Sequence, residues 1–211
     1  YVGDKLDYVA SIPKTESRWD LKDFISFIKN PKSTVEMQNG QTIHFFPTDK
    51  IRIPIDKANI IKNKVVNPQL YDSIVPYIDI DIKGNAIYKN RLMMLDLINN
   101  NNWKRPVYFS PGAFEDEDYL WMKSYLQLEG MIYKLVPIKT KVDKDTNPMD
   151  MGGLDADKMY SIVMKWDWGN SRGDIYHDPE TRKNSISYRS VLSRLMDKLI
   201  AEGQMDKAKK V

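Results

Sequence analysis

The clearest pattern of apolar and polar positions lies between Asn90 and Pro111. Leu92, Leu95 and Ile98, with Met93, Asp96 and Asn99 between them, recur at helical spacing and predict a helix with one apolar stripe. Asn90 is the expected N-cap, accepting a bond from an orphan backbone N–H. Asn99 to Asn102 is too polar and turn-prone to extend that helix. Val107, Tyr108 and Phe109 then make a short β-prone run between Pro106 and Pro111. This helix–strand pair is the expected centre of the fold.

Upstream, residues Tyr1 to Arg18 read as an entry segment broken by Pro13. Asp20 caps a predicted helix, LKDFISFIKN, whose Leu21, Phe24, Ile25 and Ile28 share one face. Pro31 ends it, and Asn39-Gly40 marks a turn. Thr42–Phe46 and Ile51–Ile55 are β-prone and flank Pro47-Thr48-Asp49-Lys50, which predicts a hairpin with a four-residue loop. Asp56 is placed to cap a short helix, KANIIKNK. Tyr77 to Ile82 alternates strictly, with Ile78, Ile80 and Ile82 on one side and Asp79 and Asp81 on the other. Gly84-Asn85 leads into Ala86–Tyr88, a second expected hairpin.

Downstream, an acidic run from Glu115 to Asp118 precedes YLWMKSYLQLEG, which reads as a short helix ended by Gly130. Met131 to Ile138 reads as a strand, with Pro137 favouring an edge or terminal place. Lys139 to Gly153 is a long polar loop, either functional or mobile. Asp155 opens a helix with Met159, Ile162, Val163 and Trp166 apolar, ended at Trp168-Gly169. A longer helix spans about Ser185 to Glu202, with Val191, Leu192, Leu195, Met196, Leu199 and Ile200 as its buried face. Gly203 interrupts it and Met205 starts another helix, an arrangement resembling the opening of a tetratricopeptide-type array. The expected fold class is α/β, or mixed α+β, with β-hairpins and a helix–strand core. The expected organisation is an α/β domain over 1–183 and a helical segment, the start of a repeat array, over 184–211.

Composition narrows the function classes. With 211 residues, 42% hydrophobic and 29% charged, the chain can bury a core. A net charge of +3 is too small to argue for a nucleic-acid partner. The absence of cysteine excludes disulfides and thiolate sites. No apolar run approaches the roughly 18–20 residues of a membrane helix. The opening YVGDKLDY does not read as a signal peptide, and a start at Tyr1 suggests a piece of something longer.

Candidate chemistry is sparse. Asp79 and Asp81, roughly 6.6–7 Å apart on one strand face, have the spacing of a general acid and base. The competing reading is a solvated outer face, and it is favoured because no histidine or aromatic clamp accompanies them. Glu115 to Asp118 reads better as favourable charge at a helix N-terminus than as a metal site. Asp143, Asp145 and Asn147 have the first spacings of a calcium loop, but Pro148 and Leu154 stand where glycine and glutamate are needed. His44 and His177 are the only histidines and sit in no ligand motif. No metal and no cofactor is expected. Nucleotide-binding and serine-hydrolase motifs are also missing. Trp103-Lys104-Arg105-Pro106 is the most unusual cluster, and Arg105 could fork onto a carboxylate or phosphate. The alternative is that Trp103 plugs the helix end while Arg105 pairs with a local carboxylate. Residues 180–211 hold eight Lys or Arg against four Asp or Glu, which suits either an anionic surface or plain solvation.

LMMLDLINNNNWKRPVYFS, YLQLEGMIYKLVPIKT and RSVLSRLMDKLIAEGQMDKA, with the upstream HFFPTDKIRIPIDKANII, resemble the C-terminal soluble region of large multi-spanning membrane proteins of Gram-negative bacteria. That family was long of unknown function and is similar to protein O-mannosyltransferases, a glycosyltransferase class. The resemblance covers most of residues 40–211. It implies an inner-membrane protein with this region in the periplasm, partnered by its own membrane-embedded half and by an acceptor protein or glycan. The catalytic base would lie in that other half, so no catalytic residue is expected here. Trp103, Lys104, Arg105, Tyr108 and Glu129 belong to the recurring blocks and are the binding candidates. Asp72-Ser73-Ile74 resembles the acceptor pattern of periplasmic O-glycosylation, which makes Ser73 a candidate modification site. A chance match, with Asp72 capping local amides, is the alternative. Two other classes remain open: a non-enzymatic interaction module built on the last helices, and a stand-alone glycoside hydrolase using Asp79 and Asp81.

Overall fold

The structure is a computed structural model that describes residues 7–110, 117–141, 151–167 and 175–211. The chain forms two compact units. The first takes the described residues up to Val107, with Glu117–Met122 and Pro137–Lys139. The second takes Lys123–Val136 and the described parts of Tyr108–Asp116 and Thr140–Val211. The class is mixed α+β.

Among the described residues the first unit holds two sheets. Strands β1 (Tyr8–Ser11), β3 (Thr34–Glu36), β4 (Thr42–Phe46) and β7 (Ala86–Tyr88) form one, in the order β3-β4-β1-β7. Here β1 runs parallel to β4 and antiparallel to β7. Strands β2 (Trp19–Asp20), β5 (Lys50–Pro54) and β6 (Tyr77–Asp81) form the other, in the order β2-β5-β6. Ile51 lies opposite Ile80 and Ile53 opposite Ile78, all four buried, so the alternation of Tyr77–Ile82 does set which face is inside.

Both expected hairpins are replaced by pairings across the chain. Strand β4 pairs with β1 and β3, whereas β5 pairs with β2 and β6. The loop between them is engaged by the entry segment. The Pro47 carbonyl accepts from the amides of Lys14 and Thr15 at 2.8 and 3.2 Å. The buried Thr48 hydroxyl donates to the Ser17 carbonyl at 2.8 Å and accepts from the Lys50 amide at 3.1 Å. The chain therefore passes from one sheet to the other at Thr48. After Ile82, whose amide still bonds Asp49 O, it crosses back, and β7 joins β1 rather than β6.

Helix α1 (Leu21–Lys29) buries Leu21, Phe24, Ile25 and Ile28, the four positions its period marks, against β4, β5 and the helix α3 (Lys89–Asn101). Each such side chain contributes roughly 1.5–3 kcal/mol of burial. Helix α3 buries Leu92, Leu95 and Ile98 as its stripe requires. Its N-cap is Tyr88, not Asn90, because β7 runs directly into the helix. Asn90 instead accepts from the Arg91 amide at 2.9 Å. Asp96 is buried on this helix, where Lys29 Nζ lies 3.0 Å away and Asn100 Nδ2 donates at 2.9 Å. The short α2 (Lys57–Lys62) is capped by Asp56, which accepts from the Asn59 amide at 3.0 Å.

The second unit is built on one sheet of β8 (Tyr108–Phe109), β9 (Leu126–Glu129), β10 (Ile132–Leu135) and β11 (Gly153–Leu154), in the order β11-β9-β10-β8. The helix expected over YLWMKSYLQLEG is only a 3-10 turn, Glu117–Tyr125, and Leu126–Glu129 is a strand. Leucine and polar residues alternate there at period two, and Gly130 at φ +66° begins a two-residue hairpin loop into β10. Gly152 at φ +78° admits no side chain, since a Cβ would lie 2.5 Å from Leu126 O. Thus the end of the long polar loop is paired structure, with Gly153 opposite Gln127.

Helix α4 (Ala156–Val163) is capped by Asp155, and α5 (Pro179–Ala201) by Asp178, whose Oδ1 accepts from the Thr181 amide at 2.9 Å. Pro at the first helical position lets α5 start earlier than the expected Ser185. Of its six expected buried positions, Val191, Leu195 and Leu199 are buried. Leu192 is half-buried, and Met196 and Ile200 are 39% and 46% exposed. Helix α6 (Met205–Ala208) follows after Gly203 and packs on α5. The side chains of Glu115 to Asp118, the Asp143–Asn147 spacing and Trp168-Gly169 lie outside the described residues.

Candidate functional site

The WKRP cluster leaves α3 through two consecutive left-handed residues, Asn102 (φ +42°) and Trp103 (φ +60°). Asparagine tolerates that region, whereas a tryptophan there costs of order 1–3 kcal/mol and must be held by its surroundings. The hold comes from α2 and from Asn63, its C-cap. Asn59 Nδ2 donates to the Asn102 carbonyl at 3.0 Å, and Asn63 Nδ2 to the Trp103 carbonyl at 3.2 Å. Trp103 is only 6% exposed and its indole N–H points to the Pro54 carbonyl at 3.4 Å. It plugs the helix end, the alternative to a binding role.

Lys104 and Arg105 are exposed. Asn101 clamps the Arg105 backbone, its Oδ1 accepting from the amide at 3.1 Å and its Nδ2 donating to the carbonyl at 2.7 Å. Among the described residues no carboxylate pairs with the Arg105 guanidinium, so the local ion pair expected for it is replaced by this backbone clamp. The side-chain charge stays available at the surface.

The other two binding candidates meet each other. Tyr108 on β8 donates its hydroxyl to Glu129 Oε2 on β9 at 2.9 Å. Lys134 on β10 lies between these strands, opposite both Tyr108 and Gln127. Its Nζ is 3.4 Å from Glu129 Oε1, and Gln127 Nε2 donates to the same oxygen at 3.2 Å. Gln127, Glu129 and Lys134 are each 7% exposed. Burial first, and then the bond to the Glu129 carboxylate and its negative charge, push the Tyr108 phenol up to about 12. Tyr108 is therefore a hydrogen-bond donor at neutral pH, not a base. Tyr108 and Glu129 belong to the second unit, and Trp103, Lys104 and Arg105 to the first.

The strand carboxylates are occupied. Asp79 receives two bonds from Arg52, at 2.7 and 3.0 Å, and Arg18 Nε lies 3.6 Å away. Arg18 also bonds Asp81 at 2.6 Å and the Ile51 and Ile80 carbonyls. The Arg52 guanidinium holds the Asp79 carboxyl below the usual carboxylate range, burial opposing it only in part. Arg52 in turn stacks on Tyr77, 3.6 Å from the ring centre. A carboxylate so paired is a poor proton donor, and these two brace β5 and β6.

Ser73 is exposed at the end of a 3-10 helix, Pro68–Ser73, whose cap is Asn67, not Asp72. His44 lies in β4 with its Nδ1 buried and unpartnered. Among the described residues no group of three or more His, Cys, Asp or Glu could hold a metal, and no helix is long and apolar enough to cross a membrane.

Sequence reasoning passed over Gln127, Lys134, Asn59 and Asn63. Gln127 and Glu129 share one strand face in LQLE, which is a legible signal. The Asn59–Asn63 spacing of four residues on a helix is another. Lys134 carries no such mark, since lysine in a strand is ordinarily an exposed residue.

A family model described as TMEM260-associated domain 2 matches residues 1–158, a span that ends within α4. No curated protein and no solved structure matches the chain. The matched span covers most of the chain, including both sheets of the first unit and all four strands of the second. The chain thus belongs to the TMEM260-associated domain 2 family, a domain associated with a membrane protein family.

Proposed function

We propose that this chain is the extracytoplasmic accessory domain of a membrane-embedded glycosyltransferase similar to the protein O-mannosyltransferases. It holds an acceptor or steadies the membrane part and does not itself transfer sugar. The observation that carries this reading is the family match over residues 1–158. The engagement of Asp79 and Asp81 by arginines supports a non-catalytic role, because a hydrolase would need one of them free to move a proton. In this reading the domain lies in the periplasm of an inner-membrane protein, the exposed Lys104 and Arg105 are available to a partner, and the exposed Ser73 is open to glycosylation.

The test has two arms. The isolated chain, assayed with aryl glycosides and with a lipid-phosphate sugar donor, is expected to show no turnover. Turnover abolished by Asp79→Asn or Asp81→Asn would overturn the proposal in favour of a hydrolase. Deleting this region from the full-length protein in native membranes is expected to lower acceptor glycosylation, and unchanged glycosylation would remove the accessory role. Intact mass of the periplasmic protein checks Ser73: an added sugar mass lost in Ser73→Ala is expected, and a bare polypeptide mass excludes it.

A second reading, an interaction module using the last helices, is favoured by Met196 and Ile200, which α5 leaves exposed at a spacing of one helical turn. It predicts that Met196→Glu abolishes capture of a partner without changing the fold of the domain.

A further inference from the structure

The first unit contains a cleft of about 420 Å³ beside Trp103. That volume falls within the roughly 300–1,000 Å³ of small-ligand sites. Its apolar lining comes from Ile53 and Pro54 at the end of β5 and from Leu21 and Ile98. The polar lining is the amide-rich end of α3, with Asn99, Asn100 and Asn102. Trp103 completes the lining. Among the described lining residues the only charged side chain is Lys22, which is exposed.

The amides differ in what they have left to offer. Asn100 Nδ2 is committed to Asp96, bonding its carbonyl at 2.7 Å and its carboxylate at 2.9 Å, which leaves Asn100 Oδ1 as an acceptor. Asn102 Nδ2 makes only a long 3.4 Å contact to Asp56. The half-buried Asn99 side chain makes no hydrogen bond among the described residues, so its donors and its acceptor are both available. These neutral groups both give and take hydrogen bonds, and they share the cleft with apolar side chains. A ligand matching that mixed lining carries both hydroxyls and C–H groups, and no charge. An anionic ligand would find one exposed ammonium and no fork of donors.

We propose that this cleft binds a neutral pyranose sugar, with its hydroxyls on Asn99, Asn100 and Asn102 and its C–H face on Pro54 and Ile53. The clamps from Asn59 and Asn63 set this part of the lining in advance, because they hold the strained Asn102–Trp103 backbone in place. The inference rests on the cleft's own chemistry and is separate from the glycosyltransferase reading.

The experiment is a titration of the isotope-labelled 211-residue chain, followed by amide chemical shifts. The probes are methyl α-mannopyranoside, methyl α-glucopyranoside, glucose 6-phosphate and an uncharged tripeptide. A neutral glycoside is expected to bind saturably and to shift amides of Lys22, Asn99 to Trp103 and Pro54's neighbours. Asn99→Ala is expected to weaken it about five-fold, the loss of one hydrogen bond, with an unchanged thermal midpoint. Asn39→Ala, at an exposed turn away from the cleft, is expected to leave binding unchanged. No saturation with either glycoside, an unchanged affinity in Asn99→Ala, or tighter binding of the phosphate or the peptide would each overturn the proposal. Failure here alongside lost glycosylation in the deletion described above would sink the cleft and leave the accessory role standing. Binding here with unaffected glycosylation would do the reverse.

Discussion

Removing the Lys134 charge tests whether the polar row on the second unit's sheet is a buried ion pair or a screened surface contact. Lys134→Met keeps most of the side-chain volume and deletes the ammonium. Glu129 then keeps two neutral donors, the Tyr108 hydroxyl at 2.9 Å and the Gln127 amide at 3.2 Å, but loses the cation 3.4 Å away. The side chains of the pair are 9% and 6% exposed, so water cannot take the ammonium's place. Leaving one partner of a buried pair uncompensated costs about 3–5 kcal/mol. An exposed pair would cost no more than about 1 kcal/mol. Glu129→Gln in the same chain removes the stranded charge while still accepting from Tyr108, so the double variant is expected to recover most of the loss. The coupling should then fall at the upper end of the roughly 0.5–3 kcal/mol seen for contacting residues. Urea denaturation by circular dichroism measures the whole, and amide exchange at Leu128 and Tyr133 reports the sheet itself. A Lys134→Met cost under about 1 kcal/mol, or a double variant equal to the sum of the singles, would refute the buried-pair reasoning.

Three further outcomes follow from the geometry. Leu95→Ala, at a fully buried α3 position, should cost roughly 2–5 kcal/mol, and denaturation showing under about 0.5 kcal/mol would mean that its surroundings are not packed. Tyr108 has its folded-state value raised to about 12 from 10.0, so its contribution is complete below the unfolded value and is lost as pH rises through the folded one. Wild-type stability should decline across that alkaline window with late tyrosinate absorbance, and Tyr108→Phe should flatten the decline. Asp79 has its folded-state value lowered by Arg52, so its contribution is present above the ordinary carboxylate value, about 3.9, and is lost as pH falls below it. Asp79→Asn should therefore lessen the acid-side loss of stability, and an unchanged acid profile would show that the Arg52 fork is not maintained in solution.

Local order in this protein was written in the chain, because it depends on neighbours within one turn or one strand. The apolar periods of α1 and α3 mark their buried faces, Asp56 and Asp155 cap the helices they precede, and Tyr77–Asp81 buries its isoleucines, whereas the start of α5 at Pro179, capped by Asp178, was expected only at Ser185. Pairing between strands was not legible. A hairpin is the cheapest closure of two nearby strands, yet β4 and β5 separate because residues Lys14 to Ser17 occupy the loop between them from about thirty positions away. YLWMKSYLQLEG reads as a helix until β10 supplies a partner for Leu126–Glu129. The candidate sites divide in the same way. Trp103, Tyr108 and Glu129 stand out as residue types, but no local rule says that Glu129 meets Tyr108 and Lys134, or that Asn63 holds the Trp103 backbone. Propensity and period act over a few residues, whereas these contacts join positions brought together only when the sheets assemble, and that assembly decided what the polar side chains touch.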